Sequence, residues 1–175
     1  MLEAAAESAP RHLRRASWFE CELQRAAWLD PGTGASLAES IQMIATHHGM
    51  VGYAQQARLC EAAQRLASGQ IDAALRAVRQ AQASQQHCFG AGATSEPVRP
   101  IGGSALERDL VFARVLLAAR QPDARTVLDA AGAHVQELLK QHVPPEFHDS
   151  FLHRNPANCQ LLTLLQGSAS PAASR

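Results

Sequence analysis

The chain has 175 residues, 16 Lys plus Arg against 16 Asp plus Glu, and a hydrophobic content of 46%. That length and apolar share allow a sizeable core. The balanced charge gives neither a basic field for polyanions nor the acidic excess of a disordered chain, so neither nucleic acid nor a membrane surface is an expected partner. Aromatic residues make up only 5%, and the apolar remainder is mostly Ala and Leu, a composition that favours close helix-on-helix packing over sheets and predicts an all-α fold.

No segment approaches the roughly 18 uncharged apolar residues of a transmembrane helix. The opening MLEAAAESAPRHLRRASWFE lacks the apolar centre of a secretory signal. A cytoplasmic location is therefore the expectation. Cys21, Cys60, Cys88 and Cys159 form no C-x-x-C pair, which suits reduced thiols better than a disulfide framework or a zinc site.

Residues 11–29 carry Leu13, Trp18, Cys21, Leu23 and Trp28 in a helical rather than alternating pattern, and DPGTG at 30–34 is read as its stop. The next helix is expected to open at Ser36, with Glu39 completing a capping box, and to close at Gly49. Residues 50–68 form one predicted helix and 70–84 a second, with Gly69 between them. On the second, Ile71, Ala74, Leu75, Val78 and Ala81 share a stripe, the small alanines falling where a neighbouring backbone comes close.

Residues 84–103 carry four glycines and two prolines without any period. Loops of about 20 residues are uncommon inside compact domains, and the IGGS at its end resembles a weak anion site at a helix N-terminus. A second hairpin follows over 104–142. Its first helix opens with Ser104 and Glu107 as a capping box and is apolar nearly all round through Leu106, Leu110, Phe112, Val115, Leu116 and Leu117. Pro122 suits a first helical position, and the returning helix turns Val127, Leu128, Ala131, Val135 and Leu138 inward. Gly132 costs that helix about 1 kcal/mol unless a close contact offsets it.

The closing stretch PPEFHDSFLHRNPANCQLLTLLQ reads as two short helices hinged at Asn155-Pro156. Phe147 and Phe151 share one face, Asn155 caps, Pro156 takes the first helical position, and Leu161, Leu162, Leu164 and Leu165 supply an apolar face. Residues 1–166 are expected to form one domain of seven or eight helices, followed by a disordered tail at 167–175.

Helix pairs of near-equal length with a glycine turn suggest a solenoid, in which each pair buries its faces on the next. AAQRLASGQIDAALRAVRQA, 62–81, resembles a tetratricopeptide repeat, with Ala62, Gly69, Ala74, Val78 and Ala81 at repeat-like positions and Arg58 and Arg65 departing from the usual large apolar residues. Residues 146–162 are similar to the segment closing the last such hairpin in large bacterial signalling and regulatory proteins, among them AAA-type ATPase, adenylate cyclase-like and Ser/Thr kinase regulators. The matching residues are Ser150, Phe151, Leu152, Arg154, Pro156, Asn158, Leu161 and Leu162, with Cys159 where arginine is usual. The resemblance implies a C-terminal helical-hairpin solenoid, a protein or peptide partner, a structural cap built from Phe147, Phe151, Leu152, Arg154, Pro156, Leu161 and Leu162, and upstream kinase or ATPase domains in a longer chain.

None of the histidine pairs has the i, i+4 spacing of helical metal ligands. Ser150 sits between His148 and His153 without a strained turn to expose it. Neither an enzymatic activity nor a cofactor or metal is expected. The expected partner surface is the face of the first helices of each hairpin, carrying Arg58, Glu61, Arg65, Glu107 and Arg114, whose mixed charges suit a protein or peptide. The alternative is a helical ligand-sensing or catalytic domain using the 84–103 loop and the histidines.

Overall fold

The structure is a computed structural model that describes residues 11–88 and 105–168, with side chains described from 16 to 84 and from 105 to 167. Among the described residues the chain is all α, eight helices and one 3-10 turn, without a strand. They are α1 Arg11–Trp28, α2 Pro31–His47, α3 Val51–Ala67, α4 Ile71–Cys88, α5 Ala105–Ala118, α6 Ala124–His142, the 3-10 turn Pro145–Phe147, α7 His148–Arg154 and α8 Pro156–Ser168. The sequence reads as one domain over 1–166; the fold divides into two compact units, Met1–Gly102 and Gly103–Arg175. The 84–103 loop beyond Cys88, Ser104 with its capping box, and the tail after Ser168 lie outside the described residues, although α8 itself runs past 166.

In the first unit α1 packs on α2 and α3, α2 on α3, and α3 on α4. Helix α2 starts five residues before the expected capping box. DPGTG is a start as well as a stop: Asp30 is the N-cap, its Oδ1 accepting from the Thr33 N–H at 3.0 Å, and Pro31 takes a first-turn position where a missing N–H costs nothing. Ser36 is consequently mid-helix, its hydroxyl donating to Gly32 O. Glu39 is free to pair with Arg65 of α3.

The inward stripe of α1 is Phe19, Leu23 and Ala26, spaced four and three apart, rather than the tryptophans. Trp28 lies five residues past Leu23, about 140° around a helix of 3.6 residues per turn, and stands 87% exposed; Trp18 is exposed as well. Phe19 stacks on Tyr53 of α3 with centroids 5.1 Å apart. Ala38, Ala45, Ala54 and Ala57 complete this core around Ile41 and let the backbones of α2 and α3 approach. On α4, Ala74, Ala77, Val78 and Ala81 are buried, whereas Ile71 is exposed.

Where α1 ends and α2 begins the backbones nearly touch. A Cβ on Gly34 would lie 2.4 Å from the Ala26 carbonyl oxygen and 3.0 Å from the Gln64 side chain. Gln64, buried on α3, donates Nε2–H to Ala26 O at 2.8 Å and to Ala27 O at 3.1 Å, satisfying two of the carbonyls that the end of α1 leaves without intrahelical partners.

Three helices end in the same way. After α2 and α3 the C′ glycines Gly49 and Gly69 adopt φ of 68° and 74°, and after α5 the corresponding residue is Arg120 at φ 51°. Each turn closes the paired bonds of a Schellman motif, as in Gly69 N to Leu66 O and Gln70 N to Arg65 O, or Arg120 N to Leu117 O and Gln121 N to Leu116 O.

In the second unit α5 packs on α6, and α8 lies against both, with α7 held on α8. Leu106, Leu110 and Ala113 of α5 meet Leu128, Ala131 and Val135 of α6 and Leu161 of α8, with Phe151, Leu152, Leu164 and Leu165 partly buried against them. Leu139, not Leu138, is the last buried residue of α6. Helix α6 begins at Ala124, so Pro122 sits in the preceding turn instead of the first helical position. Gly132 has its offsetting contact: an added Cβ would stand 3.1 Å from Leu165 Cδ1.

Two substitutions in the first unit separate packing from helix propensity. Gly34→Ala is expected to lower stability by about 1–3 kcal/mol in urea unfolding because a backbone oxygen blocks the methyl. Gly52→Ala on α3, where nothing lies within 4 Å, is expected to raise it by about 0.5–1 kcal/mol. Equal effects would mean that the α1–α2 junction yields easily. In the second unit, Arg120→Gly relieves a left-handed side-chain-bearing residue and is expected to stabilise by about 1 kcal/mol; a loss would show that the Arg120 side chain contributes more than its backbone conformation costs.

Candidate functional site

The residues expected to form a partner face fall in different units and have different fates. Arg58, Glu61 and Arg65 belong to α3, and Glu107 and Arg114 to α5, where both are exposed. Arg65 is paired inside its own unit, although its buried Nε makes no hydrogen bond. Its guanidinium lies 3.5 Å from Glu61 and 3.5 Å from Glu39 of α2, and its Nη1 donates to Gln70 Oε1 at 3.0 Å. It ties α3 to α2 and to the Gly69 turn.

Arg58, two helical turns earlier on the same stripe, has a different setting. Its Nη1 donates to the Ser84 hydroxyl of α4 at 2.6 Å, and Ser84 in turn donates to Gln80 O at 2.9 Å. Among the described residues no carboxylate lies within ion-pair distance of it. Arg58 lines an open cavity of about 470 Å³ where the end of α2, the start of α3 and the last described turns of α4 meet. Thr46 and Gly49 form one wall, Val51, Ala54, Gln55 and Arg58 the floor along α3, and Gln80, Ala83 and Ser84 the opposite wall.

The cavity exists because the residues at this junction are small. Gly49 is required by its positive φ, and Ala54 and Ala83 present only methyl groups to the space between the helices. Gln55 is only 8% exposed, and its side-chain amide has no hydrogen-bond partner among the described residues. Its position in the cavity wall leaves the donor and acceptor capacity of that amide open to solvent or to whatever enters. Neither Gln55 nor Ser84 stands out in sequence. A glutamine on an alanine-rich inward face, three residues before an arginine, is the one local signal that points to them.

The C-terminal residues divide between core and surface. Leu161 is buried, and Phe151 and Leu152 pack against the second unit's core. Leu162 is partly buried, while Arg154 and Pro156 are exposed. Phe147 departs from the expected cap: it ends the 3-10 turn and is 56% exposed, because that turn changes its direction from the one a continuous helix would give. Asn155 caps α8 through Oδ1, accepting from Ala157 N at 2.9 Å and Asn158 N at 3.3 Å. Asn158, 1% exposed, reaches back to donate Nδ2–H to Phe151 O at 2.6 Å, and the Cys159 thiol donates to His153 O.

The polar cluster that draws attention in sequence is therefore spent on helix ends. His148 Nε2 lies 2.9 Å from Val143 O, and His153 is 3.9 Å from the exposed Asp149. Among the described residues no three His, Cys, Asp or Glu side chains converge on a point. Burial, with a smaller contribution from Glu61, pushes the Cys60 thiol up to about 11, so it stays protonated at neutral pH. Cys21, Cys60 and Cys159 are free thiols. No helix of the described residues is long and apolar enough to cross a membrane.

Comparison with known protein families, curated proteins and solved structures finds no match to the chain.

Burial raises the Glu61 carboxyl above its ordinary 4.5, reinforced by the neighbouring Glu39 charge and opposed by Arg65 and Arg58. A raised carboxyl pKa means that the folded chain binds the proton more tightly than the unfolded one. The stability so gained is fully present below 4.5 and is lost as pH rises through the raised value. Compared with Glu61→Gln in urea unfolding at several pH values, the wild type is expected to lose ground as pH increases from about 4 to about 7. Wild type gaining ground instead would show that the pairing with Arg65 outweighs burial.

Proposed function

We propose that the chain is a non-enzymatic protein-interaction module of the helical-hairpin repeat type, serving as a scaffold region of a bacterial signal-transduction or transcriptional regulator. The observation that carries this reading is the exposure of several large apolar side chains among the described residues of the first unit. Trp28 is 87% exposed and Met43 59%, with Trp18, Ile44 and Val51 also exposed, and Trp and Arg side chains dominate the binding energy of protein interfaces. The sequential antiparallel pairs and their repeated glycine turns support a repeat architecture. Helices α2 to α4 start at Pro31, Val51 and Ile71, one every twenty residues. A pair thus spans forty residues, closer to the about 40–47 of HEAT and armadillo pairs than to the 34 of a tetratricopeptide repeat. The support for a tetratricopeptide-like closing segment is the Asn155-Pro156 start of α8 and the packing of Phe151, Leu152 and Leu161.

The partner is a protein or peptide of mixed charge, engaging Arg58 on the first unit and Glu107 and Arg114 on the second. Once a partner has been captured and identified, its affinity for the purified chain is measured with Trp28→Ser, Arg58→Glu and Arg114→Glu. Trp28→Ser and at least one reversal are expected to weaken binding by about tenfold or more, with helical circular dichroism unchanged. Full affinity in all three variants would remove both the apolar and the charged surfaces from consideration.

A further inference from the structure

We propose that the cavity between the end of α2, the start of α3 and α4 is a binding site for a small monocarboxylate with a short apolar body, its carboxylate held by Arg58 and Gln55. The volume, about 470 Å³, falls in the range of small-molecule sites, which combine an apolar lining with a few convergent polar groups. Val51, Ala54 and Ala83 supply the lining here, and Arg58, Gln55 and Ser84 the polar groups.

The charge argues for a monoanion. Among the described residues Arg58 is the one cationic side chain lining the cavity; Glu61, three residues on along α3 and not a lining residue, feels its charge but makes no ion-pair contact with it. One guanidinium nitrogen is already fixed by Ser84 at 2.6 Å, which holds the planar fork in place while leaving its remaining N–H groups for the two oxygens of a carboxylate. Gln55, only 8% exposed and without a protein hydrogen-bond partner among the described residues, gives the site a second donor whose amide is open to the cavity and its solvent. A phosphate dianion would call for a second cation, which this wall does not supply. The carboxylate can belong to a free small acid or to the C-terminus of a peptide, and the chemistry of capture is the same. The site shares Arg58 with the partner surface proposed above, and binding of hexanoate tests it apart from that reading, since a free acid needs no second protein.

The test is calorimetric titration of the full chain with hexanoate, hexanamide, inorganic phosphate and N-acetyl-glycyl-valine as the free acid. Hexanoate is expected to bind at least about tenfold more tightly than hexanamide and than phosphate, and Arg58→Gln to abolish that preference. Ala83→Trp, placing bulk at an exposed position of the wall, is expected to block hexanoate while leaving helicity and unfolding unchanged. Tighter binding of the peptide acid than of hexanoate assigns the carboxylate to a chain end, and the reverse assigns it to a free acid; either supports the site. Hexanamide or phosphate binding as well as hexanoate, or hexanoate failing to bind at millimolar concentration, overturns it, as does Arg58→Gln retaining full affinity in a folded chain.

Discussion

Every α-helix ends in carbonyls that have no partner within the helix, and in a chain this rich in alanine the way those ends are closed governs how the helices assemble. The end of α1 shows the constraint at its tightest. Ala26 and Ala27 present their carbonyls beside the start of α2, where Gly34 leaves no room for a side chain, and the amide of Gln64 arrives from α3 to donate to both. One side chain thereby fixes the relation of three helices. An apolar residue at 64 would strand the buried Ala26 acceptor, at a cost of about 1–3 kcal/mol, while the Ala27 carbonyl is only partly buried. The core around Phe19, Ile41 and Tyr53 can pack only if that junction closes, because its alanines fit only when the backbones stand this near.

The second unit solves the same problem with a different amide. Asn158 of α8 donates to the Phe151 carbonyl of α7, Cys159 donates to the His153 carbonyl, and Asn155 caps the α8 N-terminus. The segment NPANC thus closes two helix ends facing each other across a hinge, and Leu161, Leu164 and Leu165 carry α8 onto α5 and α6. A carboxamide is suited to this because it stays neutral, so its burial costs less than that of a charged donor once its N–H is paired.

Features governed by neighbours along the chain were legible in the sequence. Gly49 and Gly69 mark turns because only a left-handed residue closes those helix ends, and Asn155-Pro156 marks the start of α8 because a cap and a proline act locally. Gly132 signalled a close contact that Leu165 supplies. What depends on distant partners was not legible. Ser36 and Glu39 have the spacing of a capping box, yet Asp30 and Pro31 start the helix earlier, since the proline's fixed φ and the aspartate side chain already satisfy the first turn. Trp18 and Trp28 belong to the apolar pattern that marks the helix, but Phe19, Leu23 and Ala26 hold the inward angle. Gln64 and Gln55 are unremarkable in sequence because their roles are set by helices tens of residues away.

The two arginines of α3 show why residue type and spacing stop short of function. Arg58 and Arg65 lie seven residues apart on one stripe and look equivalent in the sequence. Arg65 meets Glu61, Glu39 and Gln70 and becomes a strut between α2, α3 and the turn that follows. Arg58 donates to a serine hydroxyl and, among the described residues, acts on Glu61 only through space, at a junction that Gly49, Ala54 and Ala83 leave hollow. A guanidinium held by one neutral partner at the edge of an apolar cavity is oriented without being neutralised, so its attraction for an anion remains available. The same small residues that let α2, α3 and α4 pack closely leave the space into which that attraction is directed, and the capacity to bind follows from how the fold is closed.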